Sequence, residues 1–218
     1  MTLTSIKIET APNPKVSVIW MHGLGADGSD FVPIVKELDL TGCPAIRFVF
    51  PNAPQIPVSV NGGYVMPAWY DIRSADLLNR EDEAGLRASQ KSIEELINIE
   101  LAAGAEKIIL AGFSQGCAMT LQTGLRQSTK LAGLLCLSGY LPLNQVVEQE
   151  RHPANQQVPI FMAHGAGDPV IILQRALQSR DALIAMGYQV EWHQYNMPHT
   201  VSMEEIDDMG TWFRHILK

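Results

Sequence analysis

Five short, mainly apolar runs recur along the chain: Val16–Met21 (VSVIWM), Ala45–Phe50, Ile108–Ala111, Leu131–Leu137 and Val158–Ala163. Runs of this length with little polar alternation are the pattern of strands buried on both faces. Between them the spacing changes to that of amphipathic helices. Asp30–Leu38 places Phe31, Ile34, Val35 and Leu38 on one face. Arg80–Ala103 aligns Leu86, Ser89, Ile93, Leu96, Ile97 and Leu101, with Gly104 placed to end it. Further helices are predicted over Gln115–Gln127 and over Val170–Met186, the latter stopped by Gly187. A last helix opens on the capping-box pattern Ser202-Met203-Glu204-Glu205 and turns Ile206, Met209, Phe213, Ile216 and Leu217 inward. Ile6–Glu9 and the alternating Tyr188–Gln194 read as edge strands. Strands thus alternate with helices, which predicts a mostly parallel sheet with helices on both faces.

One region departs from the pattern. Asn52–Leu78 carries Pro54, Pro57, Gly62, Gly63 and Pro67 and keeps no period. It is also rich in Ile56, Val58, Val60, Tyr64, Val65, Met66, Trp69 and Tyr70, too apolar for a disordered tract. It is expected to cover the active site and line an apolar pocket. The competing reading is packing over the edge of the core or a dimer contact.

Composition narrows the class. A chain of 218 residues that is 46% hydrophobic fits one α/β domain, taken as residues 1–218, with no composition shift or repeat. A net charge of −7 argues against nucleic acid as a partner. No apolar run is long enough to span a bilayer, and MTLTSIKIET has no signal-peptide pattern. Cys43, Cys117 and Cys136 show no paired spacing, so a reduced, cytoplasmic protein is expected. Without an HExxH or CxxC, no metal or other cofactor is implied.

The chemistry centres on Gly112-Phe113-Ser114-Gln115-Gly116, between the run Ile108–Ala111 and a helical segment. A serine held on a sharp strand-to-helix turn needs glycine two residues to either side, where a side chain would collide with the turn or the neighbouring strand. The competing reading is a tight turn with a solvated serine, and partners decide between the two. A serine hydroxyl becomes a nucleophile only when a histidine, oriented by a carboxylate, takes its proton. Active residues of open α/β sheets sit at the carboxyl ends of strands. Asp168 follows the strand Val158–Ala163, and His199 follows Tyr188–Gln194. The chain order Ser114, Asp168, His199 is that of an α/β hydrolase.

Rival residues fit less well. His152 lies in a polar loop, His193 in a strand and His215 in the last helix. His22 and His164 precede glycine turns, where they could simply satisfy backbone groups. Asp181, Asp207 and Asp208 lie on helices. Oxyanion donors are expected from the backbone N–H of Gln115 and of Leu24, the latter in the glycine-rich loop 22–28. Gly23-Leu24-Gly25-Ala26-Asp27-Gly28 also matches a dinucleotide-binding string, but no acidic residue follows the next strand and no Gly-Lys-Ser/Thr ends the loop. Cys117, one helical turn past Ser114, reads as a small packing residue.

These residues resemble the acyl-protein thioesterase and bacterial carboxylesterase (phospholipase/carboxylesterase) family of α/β hydrolases, most closely its small bacterial carboxylesterase type. The resemblance rests on HGLGADG at 22–28, PNAP at 51–54, MPAWYD at 66–71, GFSQG at 112–116, LSGYLP at 137–142, MPHTV at 197–201 and Glu204-Glu205-Ile206. It implies a cytosolic serine hydrolase of esters or thioesters, without a separate lid domain and often paired as a homodimer. It also implies Ser114, Asp168 and His199 as triad, and Leu24 and Gln115 as oxyanion donors. The chain departs from the family in Asp168-Pro169-Val170-Ile171-Ile172, where relatives commonly end on proline, and in Thr200 after His199, where serine is usual.

The expected reaction is acyl transfer to Ser114 and hydrolysis of the acyl-enzyme. The substrate would be a small-molecule or lipid ester or an acylated protein, its acyl chain received by Leu24, Trp69, Phe113, Val170 and the apolar groups of 52–78. The alternatives are a lysophospholipase and a catalytically silent binder of acylated ligands.

Overall fold

The computed structural model describes residues 3–74 and 81–218. A seven-stranded sheet runs through it in the order β1-β3-β2-β6-β7-β8-β9. The strands are β1 (Ser5–Glu9), β2 (Val16–Met21), β3 (Ile46–Pro51), β6 (Lys107–Phe113), β7 (Gly133–Leu137), β8 (Ile160–Gly165) and β9 (Val190–Tyr195). Only β1 is antiparallel to its neighbour; the other pairs are parallel. Alternation along the pleat divides each central strand between two cores. On one face Val18, Trp20, Phe48, Ile109, Leu135 and Phe161 meet α1 (Ile34–Glu37) and α6 (Met203–Ile216). On the other, Ile19, Val49, Leu110, Leu134 and Met162 meet α2 (Glu83–Ala102), α3 (Gln115–Gly124) and α5 (Leu173–Ala185). The mostly parallel sheet with helices on both faces is therefore observed, and no separate lid domain is seen among the described residues.

The element bounds differ in instructive places. The helix expected over Asp30–Leu38 is only the single turn α1. Asp27 Oδ1 accepts from the N–H and the hydroxyl of Ser29, a local turn that competes with helix, and Pro33 lacks a donor. The region 52–78, read as aperiodic, holds a two-stranded hairpin, β4 (Gln55–Val58) and β5 (Tyr64–Pro67), which turns through Gly62 and Gly63 at positive φ. Its prolines hid it: Pro57 and Pro67 sit in strands where no ladder donor is required of them. The short helix α4 (Asn144–Glu150) had no signal, because Val147 is its one buried residue. Residues 75–78 and the helix start expected at Arg80 lie outside the described residues.

In α2 the inward face ends on Glu100, with Leu101 only partly buried. Glu100 is fully buried because three groups satisfy it: Lys7 Nζ at 2.6 Å, Ser17 Oγ at 2.7 Å and Arg47 Nη1 at 3.1 Å. These bonds tie the edge strand β1, its neighbour β3 and the central β2 to α2.

Helix α6 carries half of its expected capping box. Ser202 Oγ accepts from the Glu205 N–H at 3.2 Å, but the Glu205 carboxyl is buried and neither oxygen has a hydrogen-bond partner. Burial, reinforced by nearby Asp208, raises its pKa to about 8 from an ordinary 4.5. Between those values the folded state holds a proton that the unfolded chain has released, so stability falls as pH rises from about 4.5 to about 8. Glu205→Gln should flatten that slope: thermal melts at pH 5 and pH 8 should differ less in the variant than in the wild type. Equal slopes would mean the carboxyl ionises at its ordinary pH.

Candidate active site

Strand β6 ends at Phe113 and α3 begins at Gln115, leaving Ser114 alone to make the turn. Its φ of 56° and ψ of −117° are a strained conformation for a residue with a side chain, costing about 1–3 kcal/mol. The surrounding structure holds it there. The Ser114 N–H donates to Leu137 O at 2.9 Å, and its carbonyl accepts from Ala118 N–H at 3.2 Å. The two flanking glycines are required sterically. A Cβ at Gly112 would overlap the Gly116 carbonyl, and one at Gly116 would overlap the Met21 carbonyl of β2. The turn and the neighbouring strand are the two collisions expected from the spacing.

Asp168 and His199 are brought to the same end of the sheet. The turn after β8 and the loop after β9 are laced together by Ala166 N–H to Tyr195 O at 2.7 Å and Gly167 N–H to Met197 O at 3.1 Å. His199 Nδ1 lies 2.6 Å from Asp168 Oδ2. The other carboxylate oxygen, Oδ1, accepts from the N–H groups of Val170 at 2.8 Å and Ile171 at 2.9 Å. The Asp168 side chain is fully buried, so these three donors replace its hydration. The Phe113 ring sits 4.7 Å from the His199 imidazole, which places His199 beside the elbow.

The other strand-end histidines do satisfy backbone groups. His164 Nε2 donates to Ile171 O at 2.7 Å, supporting the turn that carries Asp168. His22 Nε2 accepts from Ala53 N–H at 3.1 Å, so its Nδ1 carries the proton and donates to Gly23 O at 2.7 Å. Burial lowers the pKa of both rings and favours their neutral forms. His193 lies between Glu191 at 2.9 Å and Asp208 at 3.2 Å on the opposite core's rim.

A cavity of about 360 Å³ opens at Ser114. Its walls include Leu24, Val60, Ile72, Tyr140, Val170 and Ile171. Leu24 and Val170, both expected to receive an acyl chain, line this cavity. Trp69 and Phe113, expected in the same role, are not among the lining residues. Trp69 is 1% exposed and lies in the core behind the wall, and Phe113 packs between Phe31 and His199. The reason lies in α3: the Gln115 side chain draws the backbone at Trp69 inward, accepting from Trp69 N–H and donating to Tyr70 O, both at 2.7 Å. Tyr70 and Tyr140 take the wall position instead, their hydroxyls paired at 2.8 Å. Tyr70 belongs to the apolar set of 52–78 expected to line the pocket, whereas Tyr140 carried no such expectation, although it lies in the LSGYLP segment. The hairpin contributes Val60 and Asn61 to the rim, which supports the covering reading of 52–78 over the edge-packing one.

Among the described residues, the N–H groups of Leu24 and Gln115 donate to no protein acceptor, whereas their neighbours Gly25 and Ala26 donate to Pro67 O and Gly23 O. No group of three or more His, Cys, Asp or Glu side chains there is arranged to hold a metal ion, and no helix is long and apolar enough to cross a membrane.

Residues 4–217 match the model of a family described as phospholipase/carboxylesterase. The chain is 38% identical to an acyl-protein thioesterase 1 of Yarrowia lipolytica, over 98% of this chain and 97% of the relative. It is 42% identical to one of Neurospora crassa, over 88% and 82%. Among solved structures, acyl-protein thioesterase 2 of Zea mays superposes with a TM-score of 0.86 at 28% identity, covering 98% of this chain and 99% of that one. Esterase PE8 superposes with a TM-score of 0.84 at 25% identity, covering both chains completely.

Proposed function

The chain belongs to the phospholipase/carboxylesterase family of α/β hydrolases, and we propose that it is a serine hydrolase that cleaves carboxylic esters, acyl thioesters among them, through an acyl-enzyme on Ser114. The observation that carries this reading is the Asp168–His199 hydrogen bond beside a serine held at φ 56°. His199 takes the Ser114 proton as the oxygen attacks the acyl carbonyl. Asp168 keeps the proton of His199 on Nδ1, so that Nε2 is free to act as base, and stabilises the imidazolium that forms. The N–H groups of Leu24 and Gln115 receive the oxyanion, the latter at the start of α3 where the helix dipole adds to it. His199 returns the proton to the departing alcohol or thiol, and water repeats the sequence on the acyl-enzyme. The uncombined thiols of Cys43, Cys117 and Cys136 support a reducing, cytoplasmic setting.

The cavity walls argue for an aliphatic acyl group. Each methylene buried against Val60, Ile72, Val170 and Ile171 should add about 0.8 kcal/mol, or about fourfold in kcat/KM. The specificity constants for p-nitrophenyl esters should therefore climb from acetate through at least hexanoate. A maximum at acetate would refute an acyl-binding role for this cavity.

A further inference from the structure

The proposed oxyanion donors are backbone amides, so no side chain presents them directly. Their direction is set by whatever holds the peptides to which they belong. The Leu24 N–H shares a planar trans peptide with the Gly23 carbonyl and points opposite to it. That carbonyl is held at 2.7 Å by His22 Nδ1–H. The preceding carbonyl, that of His22, is held at 2.9 Å by the Trp69 indole N–H. The Trp69 ring also packs against the His22 imidazole, with centroids 5.3 Å apart. Trp69 is itself fixed: its N–H donates to Gln115 Oε1, its carbonyl accepts from Ser89 Oγ, and the next carbonyl, of Tyr70, accepts from Gln115 Nε2. All of these groups are buried.

The bonds therefore form a continuous path. It starts at the side chain of Gln115, passes through the backbone and indole of Trp69 to the His22 carbonyl, and ends at the peptide carrying the Leu24 N–H. The residue at its start is also the residue whose own N–H is the second donor. We infer that the Trp69 indole N–H and the Gln115 carboxamide are positioning groups, which together set the spacing and direction of the two oxyanion donors. They touch no reacting atom. They explain why a tryptophan is buried behind the cavity wall, with its nitrogen aimed at the glycine loop, in a place where any large apolar residue would fill the volume. The inference rests on Leu24 and Gln115 being the oxyanion donors.

Trp69→Phe removes the indole N–H and keeps an aromatic ring, so it frees the His22 carbonyl. Gln115→Glu keeps an acceptor for Trp69 N–H but opposes the Tyr70 carbonyl with a carboxylate. In each, kcat should fall about tenfold with KM within about twofold, because the loss falls on the transition state. A second readout reports on the oxyanion donors directly. The wild type should prefer p-nitrophenyl butyrate strongly over its thiono analogue, whose sulfur is a poor hydrogen-bond acceptor, and that preference should shrink in step with kcat. Folded variants with an unchanged oxygen-to-sulfur ratio would overturn the inference, whether or not KM moved. If Trp69→Phe does not fold, Gln115→Glu is read by the same two outcomes. Ser114→Ala separates the layers: residual hydrolysis there would break the underlying acyl-enzyme reading, whereas an inactive Ser114→Ala beside unaffected Trp69 and Gln115 variants would break only the positioning role.

Discussion

Ser114→Ala should lower kcat/KM by about 10⁴- to 10⁶-fold and leave the fold intact. Both halves of that expectation come from the elbow. The hydroxyl is the only group the substitution removes, and the proposed mechanism has no second nucleophile: Cys117 is fully buried in α3. The backbone bonds of residue 114, to Leu137 O and from Ala118 N–H, do not involve the side chain and persist in alanine. Alanine also keeps the steric strain of φ 56°, so the melting temperature should barely move. Ser114→Gly should be equally inactive but more stable by about 1 kcal/mol, because glycine occupies positive φ without penalty. Assays on p-nitrophenyl butyrate and labelling by a fluorophosphonate, each paired with a thermal melt, check both variants. Turnover or labelling surviving in Ser114→Ala would place the chemistry elsewhere.

Asp168→Asn should cost about 10⁴-fold in kcat, through the tautomer of His199. The carboxylate uses Oδ1 for the two N–H groups of Val170 and Ile171 and Oδ2 for His199 Nδ1. An asparagine in this fully buried position has one orientation that serves the turn: its carbonyl oxygen must face the two backbone donors, which leaves its NH₂ facing the imidazole. His199 Nδ1 then has to accept, the ring proton moves to Nε2, and Nε2, the proposed base, can no longer take a proton. Nitrogen NMR of His199 should report the exchanged tautomer alongside the lost rate. A variant within tenfold of wild type, with Nδ1 still protonated, would show that Asp168 does not set the state of the base.

Ser114, Asp168 and His199 could be singled out as candidates because each lies just past a strand whose apolar run is itself a local signal. Gly112 and Gly116 around Ser114, and Gly165 before Asp168, mark where the backbone must pass too closely for a Cβ. Strand and helix positions were legible for the same reason: hydrogen bonding within a helix and alternation across a pleat impose short periods on the residues themselves. The hairpin β4–β5 escaped because Pro57 and Pro67 erase that period without preventing the pairing. The tertiary structure alone decided which groups meet across long separations. Glu100 is inward because Lys7, Ser17 and Arg47 reach it from three strands, and Trp69 is behind the cavity wall because Gln115, 46 positions away, holds its backbone. Tyr70 and Tyr140 share a hydroxyl bond across 70 positions and so form a wall that neither segment implies alone. Local order is written in spacing along the chain. Side-chain partnership depends on how the elements cross, and that becomes definite only when the two cores close on the sheet.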